Sequence, residues 1–593
     1  MEIKNLKSVA DFEWDFKSFD DENTNKIKEK LNIPLTLAKI LDQKGFSEEN
    51  AESFLNPKVK NDLKDPFSFK DMKKASDRII KAIRNNEKIG IFGDYDVDGA
   101  TSSSLLYNYL KSVNPELDID IHIPDREKEG YGLNTQAIEK FKKDDRNLVI
   151  SVDCGIASLK EADFAKEINV DLIIIDHHNQ ASQLPNSYAT VNPKREDSDG
   201  DFHYLAAVGV VFFVCIAINS TLKKENYFNE SKIEEPNLIN LLDIVALGTV
   251  CDSVPLTDLN RSIVSTGLKI IDKEENIGIK ALSEISQSKK SSVYSLGFIL
   301  GPRINAGGRI GDSSIGAKLL TCTNPIIAEN HAKKLNDYNA ERKSIEGNIF
   351  EEAISQITPE MLEKQYIFVK SKNWHKGIIG IVASKIKEMY NLPTFIATEI
   401  KDGILNGSGR SSKDYNLGQT IINAKEKGIL KEGGGHKMAA GFTFEEKNEE
   451  DFKKAIETDI SNFLENKNFK KVINISSILD IKAINIKLIE RIESLSPFGI
   501  GNPEPKFAIS NARLMNFQAL KNGVAKAIFS SDSGGSITGM IFNSTPCKIR
   551  ETLEKNIGKN FLAIGKIQIS EFNGRKTTQI ILEDLGILDN SKT

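Results

Sequence analysis

The stretch KIGIFGDYDVDGATSSSLLYNYLK (Lys88–Lys111) decides how this chain is read. Its opening, KIGIFGD, is a short run rich in apolar and β-branched residues, the length and composition of a buried strand. Its end, Ala100–Lys111, has amphipathic helical spacing. Between them Asp94, Asp96 and Asp98 recur at period two, and a tight turn is expected at Gly99. The pattern returns three times. SVDCG (Ser151–Gly155) ends the run NLVISVD, and IIIDHH (Ile173–His178) ends VDLIIIDHH. VCDSVP (Val250–Pro255) follows the apolar segment Ile244–Val250. Each acidic or histidine cluster is expected where a strand ends. Strands alternating with helix-length segments such as Ser158–Ile168 predict a parallel sheet covered on both faces. Ligands bind such sheets outside the carboxyl ends of the strands.

Carboxylates this close together repel unless cations neutralise them. Asp94, Asp96, Asp98, Asp153, Asp176, His177, His178 and Asp252 together offer enough hard ligands for two divalent cations. Oxygen donors with one or two imidazoles suit manganese or magnesium better than structural zinc. Two such ions about 3.5–4 Å apart can activate water and clamp both oxygens of a phosphodiester displacement. A lone DxDxDG also occurs in calcium loops and acidic turns, and DHH alone carries little. Four such clusters in one α/β lobe are hard to explain as surface charge.

The bulk numbers leave room for this reading. The 593 residues suggest three to five domains, and 39% hydrophobic with 27% charged residues is ordinary globular composition. The net charge of −5 excludes a polycation, so any nucleic acid must meet a local basic groove. No run of 18 consecutive apolar residues is evident, and MEIKNLKSVADFEWDF has no secretory h-region, so neither a membrane span nor a signal peptide is expected. Cys154, Cys215, Cys251, Cys322 and Cys547 form no CxxC pair. That argues against a zinc ribbon or a disulfide framework and for a reduced cytoplasmic protein.

Residues 1–85 read as a mostly helical N-terminal region. The α/β lobe is expected over 86–324, and a long charged helix over 325–358. A second α/β lobe over 359–468 carries GSGRSS (Gly407–Ser412) and GGGHKMAAGF (Gly433–Phe442). From 469 to 593 several short strands and turns suggest a small barrel. Its Lys471, Lys506, Lys521, Lys526 and Lys566, near Phe498, Phe507 and Phe517, fit tracking of a single strand by charge and stacking.

Taken together, DYDVDG, VDCG, DHH and CDSVPL resemble the DHH phosphoesterase superfamily. GPRINAGGRIG (Gly301–Gly311), WHKGIIGIVASKI (Trp374–Ile386), GSGRS, GGGHKMAAGF and PFGIGNPEPKF (Pro497–Phe507) are similar, in order, to its single-strand-specific DNA exonuclease branch. The resemblance covers roughly residues 55–590. It implies an α/β fold in which a DHH lobe with a parallel sheet and a DHHA1 lobe are joined by a long helix and followed by an OB-like barrel. It implies metal ligands at Asp96, Asp98, Asp153, His177 and Asp252, with Asp153 bridging and Asp94 as an additional acid. His178 becomes a phosphate contact or proton donor. Arg126 is similar to the family's phosphate-contacting arginine, and Arg303, Asn305 and Arg309 would wall the active site. Ser408, Arg410 and His436 would make a second phosphate pocket, with glycine N–H groups approaching the anion.

The implied activity is 5′-to-3′ hydrolysis of single-stranded DNA to mononucleotides in repair and recombination, with two Mn2+ or Mg2+ ions. A helicase and a single-strand-binding protein are the implied partners, and a monomer is the default. Two rival readings stay open. One is a DHH phosphodiesterase on short oligoribonucleotides or cyclic dinucleotides; the other is a catalytically dead single-strand-binding scaffold. Many relatives carry HGDYD where this chain has Phe92 before Gly93, which bears on how well one metal site is held.

Overall fold

The computed structural model describes residues 6–588, apart from 181–182, 413, 466 and 573. They fall into two compact units. One holds residues 57–344 with 497–503; the other holds 1–56, 345–496 and 504–593.

The unit of residues 57–344 is built on five parallel strands. Their spatial order is Ile119–His122, Ile89–Gly93, Leu148–Val152, Asp171–Ile175 and Ala189–Val191. Side chains alternate between two apolar layers, as period-two geometry requires. Ile91, Ile150 and Ile173 face a core shared with the helices Met72–Asn85, Val97–Val113 and Ala207–Lys224. Phe92, Val149 and Ile174 face a second core with Phe141 and Ala162, under the helices Thr135–Lys143 and Leu159–Glu167. Phe92 is therefore a fully buried core residue, its ring stacked 5.6 Å from that of His122. His122 itself lies on the edge strand and pairs with Glu129 at 2.8 Å. Ala207–Lys224 is long and apolar enough to cross a membrane. Here it is a core helix, with Val208, Val211, Phe213 and Ile218 sealed from solvent.

Two local expectations are corrected. The apolar segment before Asp252 is not a strand but the helix Leu242–Cys251. A continuous apolar run has no periodicity to separate strand from helix. The helical choice is locked by close packing: a Cβ at Gly248 would strike the Thr101 hydroxyl, and one at Gly267 the Leu242 carbonyl. Likewise no turn forms at Gly99, because the helix already starts at Val97.

The long charged stretch is one helix, Pro325–Ser355, and the division between units falls within it. In the other unit a five-stranded sheet runs in the order Glu432–His436, Ala439–Glu445, Ile404–Arg410, Thr394–Lys401 and Ile367–Ser371. Only its last pair is parallel. Phe395, Phe442, Phe444 and Phe452 fill its core. A barrel follows: Phe507–Ala519, Ala525–Ser530, Ser536–Ile541, Arg575–Ile587 and Asn560–Phe572 pair in turn. The first of these then closes on the last. Closure removes the exposed strand edges. Of the residues expected to track a DNA strand, Phe507 is sealed from solvent and three lysines have partners within the chain. Lys506 pairs with Glu583 at 2.6 Å, Lys566 pairs with Glu504 at 2.9 Å, and Lys471 lies over Phe12.

The N-terminal region is not all helix. Glu13–Phe16 pairs in parallel with Val472–Ile475, and the fully buried Asp584 of the barrel fastens it. That carboxylate accepts from the Trp14 Nε1 at 2.7 Å, the Ser8 hydroxyl at 2.5 Å and the Ala10 N–H at 3.1 Å. Asp584→Ala strands these donors in an apolar setting. It should cost about 2–4 kcal/mol of stability, read as a lowered urea midpoint; an unchanged midpoint would show that the fastening contributes nothing.

Candidate metal centre

Register brings the site together before any side chain is considered. Gly93, Val152, Ile175 and Val191 are aligned neighbours at the carboxyl ends of four strands. The next residues, Asp94, Asp153, Asp176 and Asn192, therefore emerge side by side. Asp153 and Asp176 extend the ladder by one step, donating their N–H groups to Ile175 and Val191 at 3.0 and 3.1 Å. Asp153 has φ of 61°, a left-handed conformation rare outside glycine.

The DxDxD triplet is not period-two strand. Asp94 closes the strand, and Asp96 caps the helix Val97–Val113, its carboxylate accepting from the Gly99 N–H at 3.0 Å. Asp98 sits in the first turn, where its two oxygens accept from the N–H groups of Ala207 and Val208 at 2.7 and 2.9 Å. Those donors open the helix Ala207–Lys224, an N-terminus that favours a negative charge. Gly99 is required for proximity: a Cβ there would lie 2.6 Å from the Asp94 backbone N and carbonyl C. Asp252 arrives at the C-terminal end of Leu242–Cys251.

Two histidines complete the cluster. The His177 Nδ1 meets the Leu205 carbonyl at 3.1 Å, which assigns its proton there and leaves Nε2 as a lone-pair donor. That Nε2 lies 3.4 Å from Asp153 and 3.8 Å from Asp98, while Nδ1 lies 3.7 Å from Asp252. Burial drops the His177 pKa to about 4, so the ring is neutral at physiological pH. His178 bonds Asp176 at 2.8 Å. Burial would lower its pKa, but the hydrogen bond and charge of Asp176 prevail and raise it. Asp176 is buried too, yet the His178 bond and the N–H groups of Ile156 and His178 hold its pKa below the usual value.

The remaining carboxylates are pushed the other way. Burial, then the neighbouring Asp96, lifts Asp94 to about 8 and Asp252 to about 7. Asp98 and Asp153 are raised further, by burial and then by the charges around them. One oxygen each of Asp94 and Asp153 is buried without any hydrogen-bond partner. Three groups have ligand atoms within 4.8 Å of one another: Asp94, Asp96 and Asp153; Asp98, His177 and Asp252; and Asp153, His177 and His178. Asp153 and His177 each belong to two of them. An all-oxygen and imidazole donor set with orphaned carboxylate oxygens fits hard divalent cations.

The structure separates the expected arginine wall. GPRINAGGRI forms the helix Gly301–Ile310, held at both ends. A Cβ at Gly308 would meet the Tyr95 carbonyl at 2.7 Å, and one at Gly301 would strike the Cys251 sulfur beside Asp252. Arg309 acts electrostatically on Tyr95, and Asn305 lies one turn before it on the same face. Arg303 is turned elsewhere, bonding Asn336 at 3.1 Å and the Ile299 carbonyl at 2.6 Å. Arg126 lies 5.2 Å over the Tyr95 ring.

Three contributors escaped sequence reasoning. Asp176 orients rather than ligates, although it stood in plain view within DHH. Lys194, past the last strand, is half-buried with its charge felt by Asp252 and His177; nothing in its sequence context marks it. The third is the segment Pro497–Pro503, dense in glycine and proline. It clamps the loop after Asp252: Leu256 donates to the Ile500 carbonyl at 2.7 Å, and a Cβ at Gly499 would lie 2.7 Å from Leu256.

In the other unit Ser408 and Arg410 do meet, at 2.8 Å. Arg410 also reaches the Ser384 hydroxyl at 3.2 Å and has no acidic partner among the described residues. Burial lowers its pKa. Gly380 explains how a helix passes so close, since a Cβ there would lie 2.9 Å from the guanidinium. The glycines are not an N–H cradle. Gly407 and Gly409 lie in a strand paired on both sides, so their backbone groups are committed to the sheet. His436 is exposed on the edge strand, two strands across from Arg410 through Ala439.

Comparison with known proteins agrees with this geometry. Residues 88–249 match the DHH family N-terminal domain, 363–462 the DHHA1 domain and 475–584 the RecJ OB domain. The chain is 34% identical to the single-stranded-DNA-specific exonuclease RecJ of Bacillus subtilis, over 97% of this chain and 71% of that one. Against the Escherichia coli K12 protein of the same name it is 31% identical, over 87% and 90%. The fold matches the crystal structure of RecJ in complex with Mn2+ from Thermus thermophilus, with a TM-score of 0.80 at 23% identity, covering 97% of this chain and 79% of that one. The crystal structure of exonuclease RecJ bound to manganese matches with a TM-score of 0.56 at 27% identity, covering 68% and 98%. The chain thus belongs to the RecJ family of DHH–DHHA1 proteins.

Proposed function

We propose that this chain is a metal-dependent exonuclease that degrades single-stranded DNA from its 5′ end to mononucleotides, using two Mn2+ or Mg2+ ions. The observation that carries it is the set of three ligand groups sharing Asp153 and His177, with orphaned buried oxygens on Asp94 and Asp153. Residues 86–324 carry the hydrolytic centre, 325–358 the connecting helix, 359–468 the terminal-phosphate pocket and 469–593 a strand-binding barrel. The reading as a small-substrate phosphodiesterase is disfavoured by the RecJ OB match, and that of a dead scaffold by the intact ligand set. Duplex ends would need a helicase and a single-strand-binding protein. A cytoplasmic setting is in keeping with DNA as substrate and with cysteines that form no disulfide among the described residues.

Asp94, Asp96, Asp98, Asp153, His177 and Asp252 would hold the cations, with Asp153 central to both. When bound, the cations supply an ionised water and neutralise charge on the scissile phosphate. The chain does the rest. Leu205 fixes His177 in the tautomer that presents Nε2. Asp176 raises the His178 pKa and holds its Nδ1, which suits His178 to pass a proton from Nε2 to the departing 3′ oxygen. Arg126 and Arg309, both on Tyr95, orient the phosphate, with Asn305 on the face of Arg309. Arg303 supports this wall from the far side of the helix. Ser408 and Arg410 hold the terminal 5′ phosphate, with His436 at the pocket's rim, and that grip sets the direction of degradation.

Three outcomes are expected. Asp153→Ala should lower hydrolysis of 5′-phosphorylated single strands by roughly 10²–10³-fold or more with the circular dichroism unchanged; robust cleavage would sink the assignment. Arg410→Ala should weaken capture of 5′-phosphorylated strands about 10–100-fold and leave 5′-hydroxyl strands nearly untouched. Equal losses on both would remove the terminal-phosphate role. The third concerns pH. In the metal-free protein Asp94 and Asp252 keep protons that an unfolded Asp sheds near pH ~4. Stability is then whole below that pH and declines as pH rises towards 8. Manganese takes the protons' place, so it should bind more tightly as pH rises. Melting curves in EDTA should fall between pH 5.5 and 8.5, and those in Mn2+ should not. Parallel profiles would mean that the cluster is not the metal site.

A further inference from the structure

Resting on the reading as a single-strand exonuclease, we propose that Tyr294 and Phe298 form a base-stacking platform for unpaired nucleotides beside the metal centre. Tyr294 is 65% and Phe298 70% exposed, against the rule that large aromatic rings are buried. They are stacked on each other, with ring centroids 5.2 Å apart and planes 23° from parallel. Two outward rings held face to face leave a flat apolar surface of the kind that bases occupy.

The segment beneath is rigid. Ser292 and Ser295 cap each other, Oγ to N–H, at 2.8 and 3.0 Å. Ser295–Leu300 then forms one π-helical turn, an irregularity frequent at functional sites. Leu296 and Leu300 anchor its inner face in the core. The same turn is tied to the metal centre. The Leu296 carbonyl accepts from the Cys251 Sγ at 3.5 Å, one residue before Asp252, and the turn runs on into Gly301–Ile310, which touches Tyr95. Just before the rings, the exposed Lys289 and Lys290 have no ion pair among the described residues. Cations for phosphates next to flat rings for bases match a flexible polyanion with exposed bases.

The test compares two 5′-phosphorylated strands of equal length, oligothymidylate and a fully abasic analogue, by fluorescence anisotropy. The full-length protein is used in Ca2+, with digestion in Mn2+ run alongside. Phe298→Ala should weaken oligothymidylate binding about tenfold and leave the abasic strand unchanged. Phe298→Trp should restore it, and the melting temperature should not move, since the ring is exposed. Equal loss on both strands, or loss on neither, overturns the platform while the exonuclease reading stands. Wild-type protein that neither binds nor cuts single strands overturns both. Sedimentation velocity covers the other occupant: an oligomer that Phe298→Ala dissociates would make the rings a self-interface and overturn the proposal.

Discussion

Mutual repulsion among buried carboxylates is the constraint on which this structure turns. Asp94, Asp98 and Asp153 are all nearly sealed from water, and Asp96 and Asp252 stand beside them. Two unit charges 4 Å apart repel by about 4 kcal/mol at an effective dielectric near 20. The charges of Arg126, His178 and Lys194 offset only part of this, and the pKa values of Asp94, Asp98, Asp153 and Asp252 stay raised. The rest of the unit is arranged to keep the cluster from spreading. Parallel register lines up the strand ends, Asp98 is pinned by a helix N-terminus, and Gly99 allows the first turn to press on Asp94. The helix Gly301–Ile310 and the segment Pro497–Pro503 brace the loops around Asp94 and Asp252 from outside.

Within the cluster, environment separates jobs that residue type alone does not. His177 and His178 are adjacent imidazoles with opposite pKa directions. A backbone carbonyl and burial keep the first neutral, while the bond to a buried carboxylate raises the second and favours its charged form. A neutral ring donates a lone pair and a charged ring donates a proton. Asp176 makes that split, which explains why it differs from its acidic neighbours in having a lowered pKa.

How much of this was legible depends on what decides each feature. Strand ends at Asp94, Asp153 and Asp176 were legible, because short β-branched runs between helical segments admit few alternatives. The barrel was legible from several short strands, and its closure agrees with that reading. The helix before Asp252 was not, since a uniformly apolar run carries no period and its choice is made by glycine contacts distant in sequence. GSGRS looked like an anion loop because glycine permits turns. Here its glycines serve tight packing within a sheet, Gly407 against Phe442. Phe92 looked like a defect in a metal motif, whereas the pleat sends its side chain into an apolar core. The lysines near the barrel looked free because their acidic partners, Glu583 and Glu504, are remote or unremarkable in sequence.

The two units also pose complementary electrostatic problems. One gathers more buried acids than its His178, Lys194 and Arg126 can balance; the other holds Arg410 among hydroxyls and a carbonyl, with no acid among the described residues. A guanidinium in such a pocket has lost much of its hydration and gained only neutral partners, and burial has lowered its pKa accordingly. Buried charges of this kind contribute little stability of their own. The first set of groups suits a divalent cation, and the second, by its charge, suits an anion. A charge held with little hydration and few partners of opposite sign is the feature that the two units have in common.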